Sequence, residues 1–229
     1  MVPDPHLTCW TIVHAASAGD EAARSVFVRS YAGPVRAYLV NRWRSHGLST
    51  DIDDAVQETF LECLKANGAL ERADPARGDF RGLLYGVVRN VARRFEEQAG
   101  KARQRRPDQS VYLDELPHQD AALSRVFDQA WAQSLLREAV ALHEAEAKSG
   151  DSASRRRFHV LQARHEQGLP IREIAAQLDE PDVGQIHNDY RRARREFAAH
   201  LREVTAKHTG AEGEEVDVEC RRLTELLAR

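Results

Sequence analysis

Acids and arginines recur at helical spacing in two neighbouring stretches, and each pattern suits a different chemistry. Asp51, Asp54, Glu58 and Glu62 follow one another at i+3 and i+4, which stacks four carboxylates along one helix face. Like charges placed this way repel by roughly a few tenths of a kcal/mol per pair, a cost that a basic partner surface offsets. The alternative is a solvated acidic face, favoured near a helix N-terminus by the peptide dipoles. Asp53, Asp54 and Glu58 could also hold magnesium for diphosphate chemistry. No second acidic cluster and no phosphate-binding glycine loop accompanies them, so the sequence gives no reason to expect an enzyme, a metal or a cofactor. Further on, Arg81, Tyr85, Arg89 and Arg93 stack at i+4 with Asn90 and Arg94 beside them. Arginines neutralise phosphates, while an aromatic ring and an amide can engage unstacked bases. Lys101, Arg103, Arg105 and Arg106 extend this charge, and Glu96 and Glu97 offer it salt-bridge partners if the helix is merely solvated.

A third constellation lies between Ile171 and Phe197. Ile171, Ile174, Ala175 and Leu178 keep helical spacing after Pro170, and Asp179 to Pro181 interrupts the pattern. Ile186, Tyr190, Ala193 and Phe197 then form a second apolar stripe. The pattern is that of a helix-turn-helix. Gln185, His187 and Asn188 are placed for base contact, and Arg191, Arg192, Arg194 and Arg195, with Arg172 on the first helix, for phosphates.

These side chains need helices to position them, and the chain reads as helical almost throughout. It has 229 residues, 30% charged and 42% hydrophobic, with a formal net charge of -3. Cys9, Cys63 and Cys220 form no CxxC pair, which argues against a disulfide framework or a zinc knuckle. No signal-peptide pattern and no bilayer-length apolar run is present, so the expected location is the cytoplasm without membrane insertion. Thr8 to Ala18, Asp20 to about Tyr31, Gly33–Pro34 to about Arg44, Asp51 to Lys65 and Phe80 to about Gln98 are the expected helices of a first bundle. The fold expected is all-α, as two small helical domains joined by a linker, the second containing the helix-turn-helix. Its boundaries fall at 1–99, a Pro-containing linker at 100–119, a domain at 120–209 and an acidic extension with a short helix at 210–229.

The order of acidic helix, Gly/Pro loop, Arg-rich aromatic helix, linker and helix-turn-helix resembles the extracytoplasmic-function (ECF) group of the sigma-70 family of bacterial RNA polymerase sigma factors. Asp51, Asp53, Asp54, Gln57, Glu58 and Phe60 match that family's DxEDxxQExF pattern in its second conserved region. Phe80, Leu84, Tyr85, Arg89 and Asn90 match FxxWLYxIxRN, with Leu83 in place of the tryptophan. Gly168, Ile174, Ala175, Leu178, Arg192 and Arg194 match the fourth region. The resemblance implies that the six residues from Asp51 to Phe60 dock on the coiled coil of the polymerase's largest subunit, with the polymerase flap a further contact. It implies that Arg81, Tyr85, Arg89, Asn90, Arg93 and Arg94, with the loop before Phe80, capture melted minus-ten DNA, and that the helix-turn-helix reads the minus-35 duplex.

Such a factor performs no covalent chemistry, and any inhibitor would be a separate anti-sigma protein. The competing reading is a helix-turn-helix activator or repressor that acts on duplex DNA without docking on polymerase. Departures from the family pattern carry an expectation of their own. Asp179 replaces the usual glycine, Glu180 and Asp182 lie in the turn, and Asp189 stands where a base is common. These acids should weaken phosphate attraction, so the isolated second domain is expected to bind promoter duplex poorly, measured as affinity against salt concentration. The C-terminal extension either packs as a simple helix or folds back to regulate promoter access.

Overall fold

The structure, a computed structural model, describes residues 9–45, 47–73, 80–104 and 119–228. Among the described residues every regular element is a helix: α1 (Cys9–Ser17), α2 (Glu21–Arg42), a short 3-10 turn at Ser49–Asp51, α3 (Ile52–Leu64), α4 (Phe80–Gln104), α5 (Gln119–Ser149), α6 (Ser152–His165), α7 (Ile171–Gln177), α8 (Val183–Thr209) and α9 (Glu214–Leu227). None of them is long and apolar enough to cross a membrane. The all-α expectation holds. Two compact units result: residues up to Ser134 together with those from Ala206 onward, and Leu135–Thr205. This division differs from the expected break between residues 99 and 120. Part of the expected linker continues α4 to Gln104, and its residues 105–118 lie outside the described residues.

In the first unit, Asp20 caps α2 by accepting from the Ala23 amide at 2.8 Å. α2 then runs unbroken through Pro34, where the sequence led us to expect two helices. A proline inside a helix removes one backbone bond and costs about 3 kcal/mol. Burial on both sides of it offsets that cost: Phe27, Tyr31, Val35, Tyr38 and Leu39 are at most 1% exposed, and each large apolar side chain enclosed contributes roughly 1.5–3 kcal/mol. Phe27 meets Phe60 of α3 edge-on at 5.6 Å and Phe80 of α4 at 5.7 Å. Tyr31 lies 5.0 Å from Phe80 and stacks on Trp131 of α5 at 5.1 Å. These rings draw the start of α5 into the first unit.

The far end of α2 is fixed by a buried ion pair. Arg42, 3% exposed in its side chain, donates from Nε to Glu96 Oε1 at 2.6 Å and from a terminal nitrogen to Oε2 at 2.8 Å. Its other terminal nitrogen donates to Tyr38 Oη at 2.8 Å, and Trp43 Nε1 donates to Glu96 Oε1 at 2.9 Å. Burial opposes the charge on Arg42, but the carboxylate of Glu96 more than restores it, and the guanidinium pKa is raised. Glu96, expected as a partner for the arginines of its own helix, thus serves α2 instead.

The second unit closes around Val160, Ala163, Ile174, Ala175 and Ile186, with Leu169, Ile171, Leu178, Val183 and Tyr190 packed against them. Asp151 caps α6 by accepting from the Ser154 amide at 2.7 Å, which holds its carboxyl below the usual range. Asp179, between α7 and α8, has φ of 50°, the left-handed region that glycine favours.

Arg42→Ala should destabilise the first unit by about 3–5 kcal/mol in urea unfolding, because a buried carboxylate is left without its partner. Asp179→Gly should raise the thermal midpoint of the second unit, a gain of up to about 1 kcal/mol from relieved backbone strain.

Candidate partner and nucleic-acid interfaces

The acidic stripe of α3 divides into two halves. Glu58 and Glu62 meet Arg94 of α4 at 3.4 and 2.8 Å, and Lys65 reaches Glu62 at 2.6 Å. Their charge is therefore largely met within the chain, and the repulsion expected along the stripe falls mainly on its first half. The hydrogen bond from Lys65, then that from Arg94, holds the Glu62 carboxyl below its ordinary range. Asp53 pairs with Arg36 of α2. Asp54 and Gln57 are exposed, and Asp51 is half-buried at the helix start. Phe60 is 5% exposed and packs on Phe27. That corrects its assignment to a docking surface, since the ring anchors α3 and presents nothing outward. Leu61, which no sequence motif selects, is 61% exposed and follows Gln57 by one turn.

The arginine face of α4 is also divided. Arg81 pairs with Asp128 of α5, and Tyr85 is half-buried, edge-on to Tyr38 at 5.6 Å and to Phe127 at 5.5 Å. Arg94 faces the α3 acids, so it is a structural cation as much as a candidate for DNA. Arg89 is half-buried, whereas Asn90 and Arg93 are exposed. Lys101 is exposed; the side chain of Arg103, and Arg105 and Arg106 entirely, lie outside the described residues.

Asn90 and Arg93 border a hollow of about 390 Å³ whose other walls include Glu62, Ala69, Arg72, Val87, Val91 and Arg94. Its lining combines apolar side chains, the guanidinium groups of Arg72, Arg93 and Arg94, the Asn90 amide and the carboxylates of Glu62 and Glu97. Arg72 and Ala69 were not legible as site residues, because nothing in their local pattern distinguishes them from loop. Gly68 places them. Its amide donates to the Lys65 carbonyl at 2.8 Å while Ala69 and Leu70 bond back to Glu62 and Cys63 at 3.1 and 3.2 Å. A Cβ on Gly68 would lie 2.5 Å from the Lys65 oxygen, so the turn requires glycine. Residues 74–79 of the expected base-capturing loop lie outside the described residues.

In the second unit, α7 and α8 are joined by residues 178–182. Arg172 on α7 and His187, Asn188, Arg191, Arg192, Arg194 and Arg195 on α8 are exposed. Arg191 pairs with Asn188, and Arg194 lies over the Tyr190 ring at 5.8 Å. Gln185 is half-buried and donates to Asp189 at 3.3 Å, so its amide is already engaged. Asp189 is 2% exposed and ion-paired with Arg156 of α6 at 2.8 Å, with Glu180 3.2 Å from the same arginine. Asp182 accepts from the Gly184 amide at 2.8 Å at the start of α8. The expectation that all four acids repel phosphate is corrected: Asp189 and Glu180 are neutralised by Arg156, Asp182 caps a helix, and Asp179 alone remains uncommitted.

Gly68→Ala should lower the stability of the first unit by about 1–3 kcal/mol in chemical denaturation, the cost of forcing a methyl group against backbone. Glu62 has a folded pKa below its unfolded one, so its contribution to stability is present above the ordinary carboxylate range and is lost as pH falls through the lowered value. The stability gap between the protein and Glu62→Gln should therefore close as a series of unfolding curves is taken below that range.

Comparison with known proteins gives a likeness over part of the chain. No curated protein and no solved structure matches the chain. Residues 27–101, about a third of the sequence, match the family described as Sigma-70 region 2, and the match runs from the first ring of the α2 core through α3 and most of α4. The first unit thus carries a sigma-70 region 2 domain, which supports membership of the chain in the sigma-70 family and a sigma-factor role in RNA polymerase binding and transcription initiation.

Proposed function

We propose that this chain is a sigma factor of the ECF group, one that docks on core polymerase through α3, captures melted minus-ten DNA on α4 and reads minus-35 duplex with α7 and α8 as a helix-turn-helix. The observation that carries this reading is the hollow beside Asn90 and Arg93, which lies within the matched region and directly behind the acidic helix. Asp54, Gln57 and Leu61 form the outward part of α3, with a carboxylate, an amide and an exposed apolar side chain at helical spacing. That set suits a basic helical partner with an apolar centre, as a coiled coil provides. The open part of α4 provides cationic rim and apolar floor for an extruded base, whose unstacking costs a few kcal/mol and must be offset by the pocket.

The factor carries out no covalent chemistry and uses no cofactor or metal. It gives sequence preference to a polymerase that holds DNA mainly through phosphates. On α8, Arg191, Arg192, Arg194 and Arg195 supply phosphate contacts, and His187 and Asn188 are better base readers than the engaged Gln185. The flap is the expected polymerase contact of the second unit, the cytoplasm is the place of action, and a separate anti-sigma protein is one candidate source of control.

Transcription in vitro with core polymerase decides the matter. The chain should confer initiation at a defined promoter, and Asp54→Lys with Gln57→Lys should abolish polymerase binding while helix content stays unchanged. These positions are preferred to Glu58, whose reversal would also disturb Arg94. Asn90→Ala should reduce promoter opening with duplex binding retained. Arg192→Ala should weaken duplex binding and lower the salt slope by about one. A chain that binds duplex but directs no initiation would instead be an operator-binding regulator.

A further inference from the structure

The part of α4 that carries Arg81 and Tyr85 is covered by the chain itself. Phe127 lies edge-on to Tyr85, and Asp128 pairs with Arg81, leaving its side chain 25% exposed. Trp131, one turn further along α5, stacks on Tyr31 at 13°. This covering segment is held in turn by the C-terminal residues. His208, 2% exposed, has its Nδ1 2.9 Å from Tyr31 Oη and its ring edge-on to Trp131 at 6.4 Å. Gln129 donates to the Leu226 carbonyl at 3.4 Å, and Val216 and Leu223 of α9 are buried. A Cβ on Gly210, between α8 and α9, would come within 3.4 Å of the Trp10 ring.

We infer that residues 206–228 form a clamp that holds the first part of α5 over Arg81 and Tyr85, so that the free chain keeps half of its strand-capture face closed. The clamp is built to release. A hollow of about 380 Å³ lies beneath α9, among Arg81, Asp128, Trp131, Leu223 and Leu226, and Val218 at its edge is 53% exposed. This hollow opens to solvent, so α9 is enclosed less fully there than a helix in a filled core. Gly210 and Gly213, at φ of 72° and 57°, bracket the short connection to α9 and give it freedom to swing. Closed and strand-bound states exclude each other, so the affinity of the free chain for single-stranded DNA falls with the fraction that is open. The inference rests on the reading of α4 as the strand-capture face.

Two variants of the full chain test it. Leu223→Asp unseats α9, and Asp128→Asn removes the carboxylate that pairs with Arg81. The measurements are amide hydrogen exchange over residues 123–131 and the binding of a short fluorescein-labelled single-stranded DNA of mixed sequence. Leu223→Asp should speed exchange there and tighten strand binding about tenfold, as expected when a mostly closed population opens; Asp128→Asn should tighten it severalfold. If Leu223→Asp loses its near-ultraviolet circular dichroism, Asp128→Asn decides by itself. Unchanged exchange in Leu223→Asp, or strand affinity unchanged in every variant that folds, overturns the clamp. Adding Asn90→Ala and Arg93→Ala to the released protein separates the two readings. Strand binding that ignores them removes the capture face from α4, and the mask with it. Binding that depends on them but is no tighter after release overturns the clamp alone.

Discussion

The bidentate pair between Arg42 and Glu96, together with the buried apolar face of α4, fixes that helix against the end of α2, and most of the first unit's surface chemistry depends on how α4 is turned. With Glu96 turned toward the end of α2, Val88, Val91 and Ala92 face the core at 0% exposure, while Asn90, Arg93 and Arg94 face outward. Two buried charges are expensive to desolvate, and the pair holds only because Tyr38 and Trp43 complete its hydrogen bonding. From this placement of α4 follow the reach of Arg94 to Glu58 and Glu62 and the position of Asn90 at the hollow.

Charge in this chain is spent in two ways, and only the structure separates them. Arg36 with Asp53, Arg81 with Asp128, Arg94 with Glu58 and Glu62, and Arg156 with Glu180 and Asp189 answer one another within their own units. What remains outward is narrower and more informative: Asp54, Gln57 and Leu61 on α3, Asn90 and Arg93 on α4, and the arginines of α8. The surface pairs contribute modestly to stability, roughly 0.2–1 kcal/mol each. Their larger effect is to hold long side chains in place, so that Arg94 walls the hollow and Arg156 keeps the carboxylates of Asp189 and Glu180 from standing alone beside α8.

Aromatic packing decides where the units divide. Tyr31, Phe80, Phe127, Trp131 and His208 come from α2, α4, α5 and α8, and together they attach the start of one long helix and the end of another to the first unit. Ring pairs of this kind contribute about 0.5–1.5 kcal/mol beyond their buried area. The Cys63 thiol in the same core, pushed up to about 12 by burial, stays protonated and serves only as a small apolar group.

By itself the sequence determined the all-α class, the three ordered motifs and most helix boundaries, since these depend on periodicity, caps and residue type within a few turns. It also carried the resemblance to sigma-70 region 2, through residues such as Gln57, Glu58, Arg89 and Asn90, all within the matched stretch. Tertiary structure decided the rest. Pro34 lies within one helix because its neighbours are buried on both sides. Phe60 and Asp189 turn inward, and Glu96 serves α2 in place of the arginines beside it. Ala69 and Arg72 wall a hollow, and residues beyond Ala206 join the unit at the start of the chain. Each of these rests on a partner far away in sequence, and no local pattern records which distant side chain will meet a charge or fill a space.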